Sequence, residues 1–109
     1  MPKYGNKKVV IDGIKFDSAK EGRRWQDLKM LYKVGKIREL DRQRVFILAP
    51  SVVLHGRRKP ALRYCADFVY IDDATGKTVV EDVKGVQTDV FRVKMHLMKS
   101  VHGIDLLIT

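Results

Sequence analysis

The sequence predicts an α/β domain, a mixed sheet flanked by helices and preceded by a short N-terminal β-hairpin. Three observations predict it. An Asp12-Gly13 pair sits between two apolar triplets. Two stretches carry helix start and stop signals. Between those stretches lie β-type runs separated by turn residues. At 109 residues the chain has room for one domain, residues 1–109, and it shows no internal repeat, low-complexity stretch or linker.

The hairpin pairs Val9-Val10-Ile11 with Ile14-Lys15-Phe16 across the Asp12-Gly13 turn. A helix follows from about Ser18 to Val34. Ser18 and Glu21 have the spacing of a capping box, and Gly35 suits the residue just past the end. Trp25, Leu28, Leu31 and Tyr32 form its expected buried stripe, with Arg23, Arg24, Gln26, Asp27 and Lys33 outward. Strands are expected at Arg44–Leu48, Val52–Leu54, Leu62–Ile71 and Thr78–Lys84, with a basic turn over 55–60 and another turn over 72–77. Thr88 caps a second helix to about Val101, with Val90, Val93, Leu97 and Val101 as its apolar face. Gly103 ends that helix, and Ile104 to Ile108 reads as a last strand.

Hydrophobic residues make up 45% and charged residues 32%, which excludes a disordered tail and a membrane span. Lys and Arg total 22 against 13 Asp and Glu, for a net charge of +9. That excess points to a polyanion, most simply nucleic acid. The basic residues do not form a juxtamembrane run, which argues against an anionic membrane surface. The one cysteine, Cys65, excludes an internal disulfide framework and any multi-cysteine zinc site. It suits a reducing compartment. The N-terminus has charge but no apolar leader core, and no apolar run approaches the ~20 residues of a membrane helix. The expected location is cytoplasmic.

The chemistry lies in Asp67 and in Asp82-Val83-Lys84. Side chains alternate along a strand, so Asp82 and Lys84 share a face while Glu81 and Val83 take the other. If the strands pair across the 72–77 turn, Asp67 comes beside Asp82. Two hard oxygen ligands with open positions suit Mg²⁺ or Mn²⁺. Such an ion polarises a phosphodiester oxygen and acidifies a bound water. Lys84 would orient that water or stabilise transition-state charge.

With these residues in view, the chain resembles the PD-(D/E)XK nuclease superfamily. Asp67 and Asp82-Val83-Lys84 match its signature, and the order of elements matches its restriction-endonuclease-like αβββαβ core. The likeness takes in Phe16-Asp17-Ser18-Ala19-Lys20-Glu21, Gly35-Lys36-Ile37 with Leu40 and Gln43, Ala66-Asp67-Phe68, and Val80 to Gly85. Together these are similar to small phage-borne members akin to Holliday-junction resolvases and phage endonucleases. The resemblance implies Asp67, Asp82 and the Val83 carbonyl as metal ligands, Lys84 as the catalytic lysine, and Glu21 as a first-helix acid reaching the metal through water. Gln43 matches a polar residue near the site in some members. Ala66 stands where the signature has proline. Glu81 lies beside Asp82, and a one-residue register shift would exchange their roles; the spacing to Lys84 favours Asp82.

Plainer roles stand beside these. Glu21 is explained by the capping box alone. An ion pair with Lys84 would satisfy Asp67 and Asp82 without a metal. His96 shares a solvated basic face with Arg92 and Lys99, while His55 and His102 have no partner at ligand spacing and read as surface histidines. Cys65 reads as a small core residue rather than a nucleophile. Tyr64, Phe68 and Tyr70 read as packing residues, and no glycine-rich phosphate loop is present.

The sequence therefore leads to a metal-dependent DNA endonuclease in which Glu21, Asp67, Asp82 and Lys84 act on the phosphodiester. Arg57, Arg58, Lys59, Arg92 and Lys99 are its expected DNA-backbone contacts. The resolvase likeness implies branched DNA, and two scissile strands suit a homodimer with the opening hairpin as first candidate contact. The alternatives are a catalytically silent nucleic-acid-binding module with a nuclease fold, and a basic adaptor of a phage replication complex.

Overall fold

Strands β1 (Val9–Ile11) and β2 (Ile14–Phe16) pair antiparallel, with Val9 opposite Phe16. Their turn needs two residues with positive φ, and Asp12 (52°) and Gly13 (77°) supply them. The computed structural model describes residues 7–109; residues 1–6, where the sequence shows charge and no leader-type run, lie outside the described residues. Helix α1 (Ala19–Lys33) begins at Ser18, whose Oγ accepts the Glu21 N–H at 3.1 Å. The hairpin closes on α1 at Gly22, where a Cβ would come 2.6 Å from Ile11 Cδ1.

The next elements are β3 (Ile37–Ala49), β4 (Val52–Leu54), β5 (Arg57–Lys59), β6 (Leu62–Asp72), β7 (Thr78–Asp82), α2 (Asp89–His102) and β8 (Leu107–Ile108). The main sheet has the order β3-β6-β7-β8. The first two pairings are antiparallel and β7–β8 is parallel, with α2 as the crossover. The fold is thus a mixed sheet flanked by helices with an N-terminal hairpin, as the sequence predicts. On the α1 face, Phe16, Leu28, Ile37, Phe68 and Tyr70 form one core. On the α2 face, Leu48, Tyr64, Ala66, Val69, Val80, Phe91 and Met98 form the other.

The two long strands exchange faces halfway along. In β3, Leu40 packs on the α1 side and Arg42 lies over the rings of Phe16 and Trp25, yet Phe46 and Leu48 belong to the α2 side. In β6, Phe68 and Tyr70 face α1 while Tyr64 and Ala66 face α2. All eight residues have even numbers, so strict alternation would keep each strand's set on one face. The exchange falls at Gln43, whose φ of 54° is left-handed. Arg42 pairs with Phe68 and Arg44 with Ala66, and the rung between them, Gln43 opposite Asp67, is missing from the ladder.

Several expectations are corrected. β3 starts at Ile37 rather than Arg44, because a bulge carrying Glu39 (φ 54°) lets the charged segment Arg38–Arg42 continue the pairing. Arg57, Arg58 and Lys59 form a strand, not a turn: they pair with Leu54, Val53 and Val52 across His55-Gly56, both at positive φ. Helix α2 is rotated from its expected orientation. Val90, Val93 and Val101 are exposed and Leu97 is half-buried, while Phe91 and Met98 are buried with Met95 packed beside them. The larger side chains, with more apolar area to remove from water, take the core side. Tyr32 is exposed rather than in the α1 stripe, and Arg24 turns inward to a buried acid. Cys65 is exposed. β7 ends at Asp82, ahead of Lys84, and β8 is confined to two residues. His102 is exposed, as expected of a surface histidine, and its Nε2 lies 2.8 Å from the Ile47 carbonyl oxygen. No helix among the described residues is long and apolar enough to cross a membrane.

Candidate metal centre

The antiparallel register between β6 and β7 sets Phe68 opposite Glu81 and Val69 opposite Val80. Asp67 and Asp82 are the next residues outward on each strand. Asp82 is buried at 3% exposure and Asp67 is half-buried. Both line a cavity of about 370 Å³ with Glu21, Val83, Lys84, Tyr64, Cys65 and Lys94. The sequence-predicted Glu21, Asp67, Asp82, Val83 and Lys84 are therefore brought together. Arg57, Arg58, Lys59, Arg92 and Lys99 are outside this cavity.

Each side chain has a distinct setting. The Tyr64 hydroxyl donates to Asp82 Oδ2 at 2.6 Å, and Lys84 Nζ is 3.8 Å from Asp82 Oδ1. Lys84 also lies 4.5 Å from the centre of the Phe91 ring, which favours a cation over the ring face. The Val83 N–H donates to Asp67 Oδ2 at 2.8 Å. Glu21 is 6% exposed, and its carboxylate makes no hydrogen bond among the described residues. The backbone half of the capping box forms, but the Glu21 side chain turns into the cavity instead of back to Ser18. Lys20 Nζ donates to the Lys84 carbonyl at 3.1 Å and ties the start of α1 to the segment that follows β7.

The electrostatics are those of crowded acids. Burial pushes the Asp67 carboxyl up to about 8, helped by a hydrogen bond shared with Asp82 and by that group's charge, against the opposing Val83 N–H. Burial also raises Glu21, with Asp17 and Asp82 adding to it and Arg42 and Lys84 opposing. The Cys65 thiol is raised by burial and then by Asp67 and Asp82, so it is a poorer nucleophile than an ordinary cysteine. Burial and the bond to Asp82 keep the Tyr64 hydroxyl protonated well above its ordinary range.

Glu81, one residue from Asp82, is fully buried on the opposite face. It accepts two hydrogen bonds from Arg24, at 2.6 and 3.0 Å, one from Tyr70 at 2.8 Å and one from Thr109 at 3.1 Å. It is structurally committed, which leaves Asp82 as the cavity acid.

Hard oxygen donors short of positive charge suit Mg²⁺ or Mn²⁺. Among the described residues no three carboxylate, imidazole or thiol groups stand close enough to grip an ion unaided. Asp67 and Asp82 with the Val83 carbonyl could hold one if water or substrate oxygens complete the shell, as is usual for Mg²⁺. Glu21 is placed at the same cavity for an outer contact.

Reasoning from sequence missed the Tyr64 hydroxyl, which it treated as packing, and Lys94. Lys94 stands three residues after Phe91 and so shares its side of α2, a signal readable only once the inward face of that helix is known. Gln43, expected near the site, reaches it indirectly: its Oε1 accepts from Cys65 Sγ at 3.3 Å.

The molecule is thus a two-helix, mixed-sheet α/β domain with a paired-carboxylate cavity on one face. The model of a family described as protein of unknown function (DUF1064) matches residues 1–105, and the chain belongs to that family. No curated protein and no solved structure matches the chain.

Proposed function

We propose that the protein is a divalent-metal-dependent DNA endonuclease of the PD-(D/E)XK type. The observation that carries this reading is the pair of half-buried Asp67 and buried Asp82, side by side and under-compensated, with Lys84 3.8 Å from Asp82 at an open cavity. Mg²⁺ or Mn²⁺ bound there would supply Lewis acidity toward a phosphate oxygen and a more acidic water. Tyr64 and Lys84 hold Asp82 in place, the Val83 N–H orients Asp67, and Lys84 offers a cation to the charge that develops on the phosphoryl oxygens. Glu21 holds a water on the α1 side.

Arg57, Arg58, Lys59, Arg92 and Lys99 contact the DNA backbone in this reading. Arg92 and Lys99 do so by exchanging exposed partners, Asp89 and Asp105, for phosphates. The element order and motif resemblance extend the reading to branched DNA cut by a two-fold pair of chains, in the host cytoplasm of a phage-borne system.

Incubation with labelled duplex, single-stranded and four-way DNA tests it. Cleavage should require Mg²⁺ or Mn²⁺ and fall about 1,000-fold in Asp82→Asn, equivalent to ~4 kcal/mol of transition-state stabilisation. Tight binding with no cleavage under any divalent ion would replace it with the silent nucleic-acid-binding module.

A further inference from the structure

Beyond the cavity, the β3–β6 ribbon runs out into the β4–β5 hairpin. Every residue from 50 to 60 is exposed. An isolated two-stranded hairpin is marginal in water, so this arm gains little from the fold that carries it. Its composition is one-sided. Residues 42–66 contain six cations, Arg42, Arg44, Arg57, Arg58, Lys59 and Arg63, and no carboxylate. Within the arm, Leu54 faces Arg57, Val53 faces Arg58 and Val52 faces Lys59. Aliphatic side chains opposite the long basic stems can support them along their length and leave the charged heads outward.

We propose that the β4–β5 arm is a second, remote contact for double-stranded DNA, gripping phosphates along a groove some distance from the carboxylate cavity. Charge complementarity selects the occupant, since an acid-free surface of this density is matched by a phosphate ladder. A two-stranded β-ribbon also fits the width of a DNA major groove. Geometry sets the spacing. Leu62 is five residues from Asp67 along β6, about 17 Å at strand rise. Arg57 is ten residues away, so ~33 Å is the ceiling. At about 3.4 Å per base pair, the arm meets phosphates roughly five to ten base pairs from the cavity. The substrate must then carry a duplex flank of about that length on one side of the cut. The proposal rests on the nuclease reading for the identity of the polymer, but it concerns binding, which is measurable without metal.

The test is the salt dependence of affinity for a 30-base-pair duplex in EDTA, read by fluorescence anisotropy. Replacing Arg57, Arg58 and Lys59 together by alanine should lower the slope of log K against log salt by about 2.7, near 0.9 for each lost phosphate contact. The triple variant should keep the wild-type melting temperature, because all three residues are exposed. Asp67→Asn should keep the wild-type slope, and alanine at Arg23, Lys33 and Lys36, also exposed, should change it by less than one. An unchanged slope in the arm variant overturns the proposal. So does an equal fall in the control triple variant, which would reduce the effect to net charge, and so does an arm that binds anionic vesicles but not the duplex. An intact arm effect with no cleavage under any metal would refute the nuclease reading and leave the arm standing.

Discussion

Glu81 and Asp82 are neighbours in one strand, both buried, and they live under opposite conditions. Glu81 points toward α1 and is closed in by Arg24, Tyr70 and Thr109. Asp82 points toward α2, where it has the Tyr64 hydroxyl, a lysine at 3.8 Å and a second carboxylate beside an open cavity. The same strand thus carries a fully satisfied charge and one only partly satisfied, whose cation, Lys84, stands off at 3.8 Å while a second carboxylate crowds it. A buried acid alone is no sign of function, since what separates the two is whether the protein has already supplied the compensating charge.

The largest expected effect breaks the satisfied side. Arg24→Ala leaves Glu81 buried without its cation and should destabilise the fold by about 3–5 kcal/mol, measured by urea unfolding. Tyr70, whose hydroxyl is pushed up to about 12 by burial and its bond to Glu81, cannot replace the lost charge.

A smaller effect, of opposite sign, sharpens the partly satisfied side. Asp67 is held protonated up to about 8 in the folded chain against an ordinary 3.8, so the folded state binds the extra proton between those values. Its contribution to stability is complete below about pH 4 and is lost as pH rises toward 8. In EDTA, Asp67→Asn should flatten that decline and raise stability at pH 8 by roughly 2 kcal/mol. Adding Mg²⁺ or Mn²⁺ at pH 8 should raise the wild-type melting temperature and leave Asp67→Asn unmoved. A variant that melts lower than wild type at pH 8 without metal would show that the two carboxylates are not in conflict.

The smallest effect is at Tyr64→Phe. It removes the donor to Asp82 while the ring packing stays, and should cost about 1 kcal/mol in thermal unfolding.

Local signals made much of this legible. Asp12-Gly13, Ser18, Thr88 and Gly103 act within a few residues, and each sits where its chemistry requires. The approach of Lys84 to Asp82 was equally readable, because a separation of two residues is a local relation even though β7 ends at Asp82. What escaped depends on distant choices. The inward face of α2 is set by a competition between Val90, Val93 and Val101 on one side and Phe91 and Met98 on the other, which only the opposing sheet decides. The partnership of Arg24 with Glu81 spans 57 residues, and no spacing announces it. Cys65 was misplaced because free cysteines are usually buried, whereas the half of β6 before the break in alternation buries Tyr64 and Ala66 and turns Cys65 outward.

That break has its own consequence at position 43. In an ordinary strand, isoleucine and valine are favoured and glycine is disfavoured. A left-handed backbone reverses the ranking, since a branched side chain collides there and glycine does not. Here the usual preference for bulky strand formers runs backwards, and glycine, which would loosen the paired rungs on either side, is the residue this position would accept most easily.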